Sequence, residues 1–206
     1  MQHDFILLDR SGSMESLWVE ALSSVNAYVE KLAQDNVDTG VTLVVFDGGN
    51  GLRFDVIRDR ITPSTWRPVT SVDATPRGMT PLNDATAKIV SMAEAGTYDK
   101  VAIIIMTDGH ENDSKEFPGA GGTAQVKAML DRCRAKNWAI VYLGANFDNA
   151  AQATSYGAAR GMHVNSTANN LRSSMSTMAN KRAAYGVSGQ AAAMSWTDEE
   201  KEKAKK

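Results

Sequence analysis

Cysteine is almost missing from this sequence of 206 residues, in which Cys133 is the only one. A single cysteine excludes an internal disulfide and any zinc site that is built from several cysteines. We expect Cys133 to be a packing residue on a helix. The hydrophobic share of 43% and the charged share of 22% are ordinary for a globular protein, so the chain is predicted to fold around one main domain.

An excess of basic charge and a long apolar run are also missing. The 22 basic and 24 acidic residues give a formal net charge of -2, and no basic block marks a nucleic-acid-binding surface. No segment approaches the roughly 20 apolar residues that span a bilayer. The start, MQHDFILLD, lacks the regions of a secretory signal. We therefore expect a cytoplasmic protein that binds neither nucleic acid nor membrane.

Short apolar runs that are rich in valine and isoleucine predict the strands. They hardly alternate with polar residues, which is typical of strands covered on both faces. They lie at residues 5–8, 41–46, 101–106 and 138–143. An Asp-Gly-Gly-Asn-Gly turn at 47–51 followed by the run 52–57 predicts an antiparallel edge strand. A short last strand is expected around residues 162–164.

Helical patterns of apolar residues separate these strands, which predicts an α/β protein. The expected fold class is a doubly wound, Rossmann-like, mostly parallel sheet of six strands, with one antiparallel edge strand and helices on both faces. The main domain is predicted to cover residues 1–165. Residues 166–206 are polar and rich in alanine, and we predict a helical C-terminal extension that is partly solvated or flexible. Within it, Thr197 and Glu200 have the spacing of a capping box.

Five oxygen-bearing side chains are expected to meet at one edge of the predicted sheet. In doubly wound sheets, ligands bind at the carboxyl ends of the strands, where the strand order reverses. Asp9 ends the first strand, Asp108 follows the fourth, and the loop before the second helix carries Thr80. Two carboxylates in one cleft repel each other unless a cation or a proton lies between them. We therefore predict a cation site formed by Asp9, Ser11, Ser13, Thr80 and Asp108.

The donor set indicates the type of cation. Hydroxyl and carboxylate oxygens are hard ligands that suit Mg²⁺, Mn²⁺ or Ca²⁺, and the set contains no histidine or cysteine that would favour zinc. Few charged ligands are available, which favours an octahedral Mg²⁺ that keeps several waters. We expect Mg²⁺, with Mn²⁺ or Ca²⁺ as substitutes.

Each of these residues, taken singly, also fits a structural role. Ser13 fits a helix N-cap, Thr80 fits an N-cap followed by proline, and Asp108 with Gly109 fits a turn. Capping explains their shared position at adjacent strand ends less well than a common cation does.

The five residues resemble the metal-ion-dependent adhesion site of the von Willebrand factor A domain family. DRSGS, residues 9–13, matches the Asp-x-Ser-x-Ser motif of that family. Thr80 in GMTPL matches its separate threonine, and Asp108 in MTDG matches its separate aspartate. The resemblance covers roughly residues 4–165. The segments FILLDRSGSM, GMTPL and YLGAN are similar to small stand-alone bacterial and phage members, and a phage-encoded protein is expected in the host cytoplasm.

This resemblance implies that Ser11, Ser13 and Thr80 contact the metal directly, while Asp9 and Asp108 act largely through waters. A cation with neutral direct ligands stays electrophilic, so an Asp or Glu of a partner protein can complete its coordination. The implied function is a non-enzymatic, metal-dependent adaptor or scaffold. The implied partner is a protein, such as an AAA+ ATPase or an assembly component, and the sequence leaves the oligomeric state open.

The loops around the metal are predicted to form a rim that contacts the partner. Trp18 has an alternative place in the core beside Leu17, and HEND has an alternative role as a polar loop. The predicted rim consists of Met14, Glu15, Trp18, Arg77, Met79, His110, Glu111 and Asn112.

Two other functions stay open at this point. In a Mg²⁺-dependent phosphohydrolase on a similar sheet, Asp9 would attack phosphorus. Enzymes of the haloacid-dehalogenase type place a second acid where Ser11 stands, and near the later acidic motif this chain offers only Lys115. A structural or assembly role in a phage particle is compatible with the adaptor function. A nucleotide-binding Rossmann protein is not supported, because DRSGSM and GGNG match neither G-x-G-x-x-G nor a Walker loop.

Overall fold

The computed structural model describes all 206 residues, and one six-stranded sheet forms its centre. The strands are β1 (Gln2–Asp9), β2 (Gly40–Asp47), β3 (Arg53–Ile61), β4 (Lys100–Thr107), β5 (Ala139–Ala145) and β6 (His163–Ser166). Their order across the sheet is β3-β2-β1-β4-β5-β6. All neighbouring pairs are parallel except β2 with β3. The structure confirms the predicted mostly parallel sheet with one antiparallel edge strand.

The order of the strands reverses in the middle of the sheet. β2 and β3 lie on one side of β1, and β4, β5 and β6 lie on the other. The register places Asp9 of β1 beside Phe46 of β2, and Leu8 of β1 beside Met106 of β4. The loops that leave the carboxyl ends of β1 and β4 therefore diverge from one crevice, where sheets of this type bind ligands.

Helices cover both faces of the sheet. They are α1 (Trp18–Gln34), α2 (Leu82–Glu94), α3 (Gly119–Ala135), α4 (Ala150–Ser155), α5 (Leu171–Ser188) and α6 (Asp198–Lys205). Successive residues of a strand point to opposite faces, so the sheet borders two hydrophobic cores. Ile6 and Leu8 pack in the core of α1 and α5, and Phe5 and Leu7 pack in the core of α2 and α3. None of the helices combines the length and the apolarity that crossing a membrane requires.

The residues after 165 are largely helical, and they contribute to the core under α1. Met175 and Met178 of α5 are fully buried, and Trp196 belongs to the same core. Thr197 and Glu200 form the predicted capping box at the start of α6. The sequence placed this segment outside the main domain because its apolar residues are mostly methionine and alanine, dispersed among polar residues. In the structure, α5 is a layer of the domain.

A buried ion pair anchors α5 to the amino end of β1. Arg182 and Asp4 are both fully buried, and the guanidinium group contacts the carboxylate directly. Tyr28 of α1 donates a hydrogen bond of 2.9 Å to the same carboxylate. Arg182 also donates to the hydroxyl of Thr39 at 3.1 Å and to the amide oxygen of Gln2 at 3.0 Å. This network lies at the edge of the sheet opposite the predicted cation site.

Candidate metal centre

Asp9, the last residue of β1, forms the buried floor of the candidate site. Its Oδ1 accepts a hydrogen bond of 2.7 Å from the backbone N–H of Ser11. Its Oδ2 accepts one of 2.6 Å from the hydroxyl of Thr107, the last residue of β4. The carboxylate therefore joins the ends of the two strands between which the strand order reverses.

A chain of hydroxyl groups extends from this floor to the surface. The Oγ atoms of Ser11 and Ser13 lie 3.0 Å apart, and the hydroxyl of Ser13 donates a hydrogen bond of 2.7 Å to Oδ1 of Asp108. Thr80 approaches from the α2 side. A Cβ built on Gly109 would lie 3.9 Å from Oγ1 of Thr80 and 4.0 Å from Oγ of Ser13. All five side chains of the predicted cation site therefore lie at the same edge of the sheet.

The site opens to solvent on one side only. Asp9, Ser11 and Thr80 are buried, whereas Ser13 is exposed and Asp108 is partly exposed. A cation held here would have solvent, or a group from another molecule, on the side of Ser13 and Asp108.

The turn after β1 explains how the two serines come to face the same point. A 3₁₀ turn covers Gly12–Leu17 and leads directly into α1. Met14 and Leu17 are buried and hold this turn against the core, and the N–H of Met14 donates to the carbonyl of Ser11 at 3.1 Å. With the apolar residues directed inward, Ser13 is left at the surface.

Thr80 is held in place by a residue that the sequence assigned to the rim. The side-chain oxygen of Asn112 accepts a hydrogen bond of 2.8 Å from the N–H of Thr80. The N–H of Asn112 donates to the carbonyl of Thr80 at 3.1 Å. These two bonds connect the loop after β4 with the loop before α2, and so they connect Asp108 with Thr80.

Two further carboxylates, Glu111 and Asp84, lock the same pair of loops from opposite sides. Glu111 accepts a hydrogen bond of 2.6 Å from the N–H of Asn83 in the first turn of α2. Asp84 accepts bonds of 2.7 and 2.8 Å from the N–H groups of Lys115 and Phe117. Glu111 is therefore a positioning residue rather than a simple rim contact. The sequence analysis missed Asp84, although an acidic residue in the first turn of a helix is a known stabilising signal.

Two residues of the predicted rim are buried, contrary to the prediction. Met14 is fully buried, and Trp18 is 3% exposed. The indole N–H of Trp18 donates a hydrogen bond of 2.8 Å to the carbonyl of Ala74. Neither residue can contact a partner in this conformation, because α1 begins at Trp18 and turns this face towards the sheet.

The remaining candidates lie at the surface around the site. Glu15 and His110 are exposed, and Met79 is 48% exposed. The ring of His110 packs edge-on against Phe147, with 4.8 Å between the ring centres. Arg77 is half exposed and ion-paired. The accessible part of the predicted rim is therefore Glu15, Arg77, Met79, His110 and the outer side of Asn112.

The electrostatics of the site favour a cation. Burial raises the pKa of Asp9 to about 6, hydrogen bonds from Thr107 and Ser11 oppose this shift, and the charge of Asp108 adds to it. Burial also raises the pKa of Asp108. No basic side chain contributes to either shift. Two carboxylates without a counter-ion, together with three hydroxyls, fit a hard divalent cation such as Mg²⁺.

The side chains that usually hold a metal ion do not form a cluster at this edge. The chain has no group of three or more histidine, cysteine, aspartate or glutamate side chains that could hold a metal ion. Beside the two carboxylates, the hydroxyls of Ser11, Ser13 and Thr80 are the side-chain oxygens of the predicted set that could contact a cation here. Neutral ligands leave the ion with charge to attract a further carboxylate.

Comparison with known families agrees with this geometry. The family model described as von Willebrand factor type A domain matches residues 5–183, which includes α1 to α4 and most of α5. A comparison with curated protein sequences found no match.

Solved structures with the same fold come from bacteria and from a mussel. The vWF domain of the type V pili tip protein Mfa5 from Porphyromonas gingivalis aligns over 88% of this chain and 94% of its own, at 12% identity and a TM-score of 0.63. The pilus adhesin SpaC from Lactobacillus rhamnosus GG aligns over 87% of this chain and 30% of its own, at 12% identity and a TM-score of 0.67. Proximal thread matrix protein 1 from the mussel byssus aligns over 85% and 46%, at 15% identity and a TM-score of 0.57. Likeness at these identities concerns the fold, and the chain spans less than half of the last two proteins.

Proposed function

This chain belongs to the von Willebrand factor type A domain family, and we propose that it is a protein-binding module whose binding depends on a divalent metal. Domains of this family typically mediate contacts between proteins. In the proposal, Ser11, Ser13 and Thr80 hold a Mg²⁺ directly, while Asp9 and Asp108 act largely through waters. An Asp or Glu of the partner protein completes the coordination.

One observation carries the proposal. The hydroxyls of Ser11 and Ser13 lie in a chain that ends on Asp108, next to an Asp9 carboxylate that is buried without a counter-ion. A buried charge without a partner is costly, and a bound cation would remove that cost. The same arrangement leaves Ser13 exposed, so the ion would be accessible to a second protein.

The residues of the chain have separate tasks in this function. When bound, the metal supplies one electrophilic position for an incoming carboxylate. Thr107 and the N–H of Ser11 fix the orientation of Asp9, and Asn112 fixes the backbone of Thr80. These hydrogen bonds preorganise the donor set before any partner arrives, which reduces the entropic cost of binding.

We further propose that the module is not an enzyme. A phosphohydrolase would need Asp9 as a nucleophile, yet this side chain is fully buried and both of its oxygens accept hydrogen bonds. Lys115, the lysine that such a mechanism would use, is 61% exposed and pairs with Asp113 at 2.8 Å. Both observations favour binding over catalysis.

The partner is proposed to be a component of a larger assembly that presents an acidic side chain. Two pilus proteins and a thread matrix protein share the fold of this chain. This shared fold is the support for an assembly role. An AAA+ ATPase is the other proposed type of partner.

A pull-down tests this function. Wild type and Thr80→Ala serve as baits in native lysate, each in Mg²⁺ and in EDTA. We expect a protein to be retained only by wild type in Mg²⁺. Thr86→Ala is the matched control, because Thr86 is equally buried but lies one turn into α2, away from the site. Equal retention by wild type and Thr80→Ala, in Mg²⁺ and in EDTA alike, would contradict the proposal.

A further inference from the structure

A buried carboxylate outside the five metal-site residues connects the loops that carry them. Asp47 is the last residue of β2 and is fully buried. Its Oδ1 accepts a hydrogen bond of 2.7 Å from Nε of Arg10. Its Oδ2 accepts bonds of 2.6 Å from Nη1 of Arg53 and 3.2 Å from Nε of Arg77. One carboxylate therefore binds three arginines from three separate segments.

Two of these arginines are close in sequence to metal-site residues. Arg10 directly precedes Ser11, and Arg77 lies in the short loop that leads to Thr80. Arg53 differs, because it lies on the edge strand β3, which carries no metal-site residue. Asp47 is therefore placed to set the distance between the serine loop and the threonine loop.

Backbone hydrogen bonds reinforce this link. The N–H of Arg77 donates to the carbonyl of Arg10 at 2.7 Å, and the N–H of Gly12 donates to the carbonyl of Gly78 at 3.1 Å. On the other side, the N–H of Gly48 donates to the carbonyl of Met79 at 2.7 Å. Residues 77–79 thus lie between the turn after β1 and the turn after β2, bonded to both.

Residues 77–79 fit tightly against the turn after β2. Gly78 has a φ of 73°, and a Cβ at this position would collide with the carbonyl oxygen of Gly48. Glycine is the residue that adopts such a φ without strain. The Thr80 loop therefore packs against the end of β2 with no room for a side chain at position 78.

The charges of this cluster make its role testable. Arg10, Arg53 and Arg77 face two carboxylates, Asp47 and Asp55, so the cluster is positively charged by one unit. If only charge matters, removal of any of these arginines should strengthen the binding of a nearby cation, because it removes a repulsive positive charge. Removal of an arginine that holds a metal-binding loop in place should instead weaken the binding of the same cation.

We propose that Asp47 is a positioning residue of the metal site. Through Arg10 and Arg77 it holds the Thr80 loop in register with Ser11 and Ser13. This inference rests on the proposed function, because it assumes that these three hydroxyls bind the metal. Groups that orient metal ligands without touching the metal typically change metal affinity by about 10- to 100-fold when they are removed.

The test compares Arg77→Gln with Arg53→Gln in the full chain. Both substitutions remove one positive charge and one hydrogen bond to Oδ2 of Asp47, and both side chains are about half exposed. Asp47→Asn is less suitable, because it would leave the buried Arg10 with only the half-exposed Asp55 as a charged partner and destabilise the fold. Calorimetric titration with Mg²⁺ measures affinity, and amide hydrogen exchange of Gly12 and Gly48 measures how firmly the loops are held.

We expect Arg77→Gln to weaken Mg²⁺ binding by about 10-fold and to accelerate exchange of both amides. Arg53→Gln should bind Mg²⁺ as well as wild type or better, with unchanged exchange. Mg²⁺ binding by Arg77→Gln that equals or exceeds that of wild type overturns the proposal, as does weaker binding without faster exchange. If wild type takes up no Mg²⁺, the proposed function fails, and the exchange rates alone then decide whether Asp47 holds the two loops together.

Discussion

The hydroxyl of Ser13 donates a hydrogen bond of 2.7 Å to Oδ1 of Asp108, across 95 positions of the sequence. Ser13 follows the end of β1, and Asp108 follows the end of β4. The bond therefore closes the crevice where the strand order reverses. It also brings a neutral oxygen and a carboxylate together at the surface, where a divalent cation and a partner carboxylate can both reach them.

The first prediction concerns Asn112, which binds the backbone of Thr80 on both sides. Asn112→Ala removes the acceptor for the N–H of Thr80. We expect Mg²⁺ affinity to fall by about 10-fold while the chain stays folded, because the lost group orients a ligand without being one. Calorimetric titration measures this change. His110→Ala is the control, since its exposed ring contacts Phe147 and not Thr80, and an equal loss in both variants would refute the assignment.

The second prediction concerns the buried pair of Arg182 and Asp4. Arg182→Met leaves the carboxylate of Asp4 buried without its counter-charge, although burial already raises the pKa of that group. We expect the free energy of unfolding to fall by about 3–5 kcal/mol, measured by urea denaturation.

The loss of an exposed arginine on the same helix separates burial from charge. Arg172 pairs with Glu30 at 3.3 Å, but both side chains are more than half exposed. Arg172→Gln should therefore change the free energy of unfolding by less than about 0.5 kcal/mol. Similar losses in Arg182→Met and Arg172→Gln would show that α5 is not anchored by the buried pair.

The third prediction is a pH dependence that originates from His3. Burial lowers the pKa of His3 from 6.5 to about 4, with Asp59 opposing the shift and Arg60 and Arg182 adding to it. Between these two values the unfolded chain binds a proton that the folded chain rejects. Stability should therefore fall as the pH drops from about 6.5 to about 4, and the contribution of His3 should be constant above that window.

His3→Gln isolates this effect. Glutamine cannot take up a proton in this range, and its amide can still bond to the hydroxyl of Thr42, which lies 2.8 Å from Nε2 of His3. We expect the loss of stability between pH 7 and pH 4.5 to be smaller in His3→Gln by about 2 kcal/mol. Urea denaturation at both pH values measures the difference, and parallel losses in the two proteins would exclude His3 as the cause.

The sheet, and the position of the five predicted residues at one edge of it, could be predicted because apolar runs mark the strands and a parallel sheet brings the strand ends together. Runs such as 101–106 are apolar without alternation, which is typical of a strand covered on both faces. Asp9 and Asp108 follow two such runs, and the strand order then decides that they meet. The structure confirms the fold that this pattern predicts, a mostly parallel six-stranded sheet with one antiparallel edge strand.

The residues that hold the site together could not be predicted in this way. Asn112 binds Thr80 across 32 positions, and Asp84 binds the N–H of Lys115 across 31 positions. Such bonds depend on how two loops pack, and no periodicity records that. Trp18 is predicted at the rim because of its type and its position near the site. The direction of α1 places it in the core instead.

The proposed metal dependence is tested most directly by calorimetric titration of the full chain with Mg²⁺. Wild type should bind one ion per chain, Thr80→Ala should bind at least about 10-fold more weakly, and Thr86→Ala should bind like wild type. All three proteins should keep the same cooperative melt in EDTA, because both cores are formed without the site residues. Equal Mg²⁺ uptake by wild type and Thr80→Ala, or no uptake by wild type, would contradict a metal centre at the ends of β1 and β4.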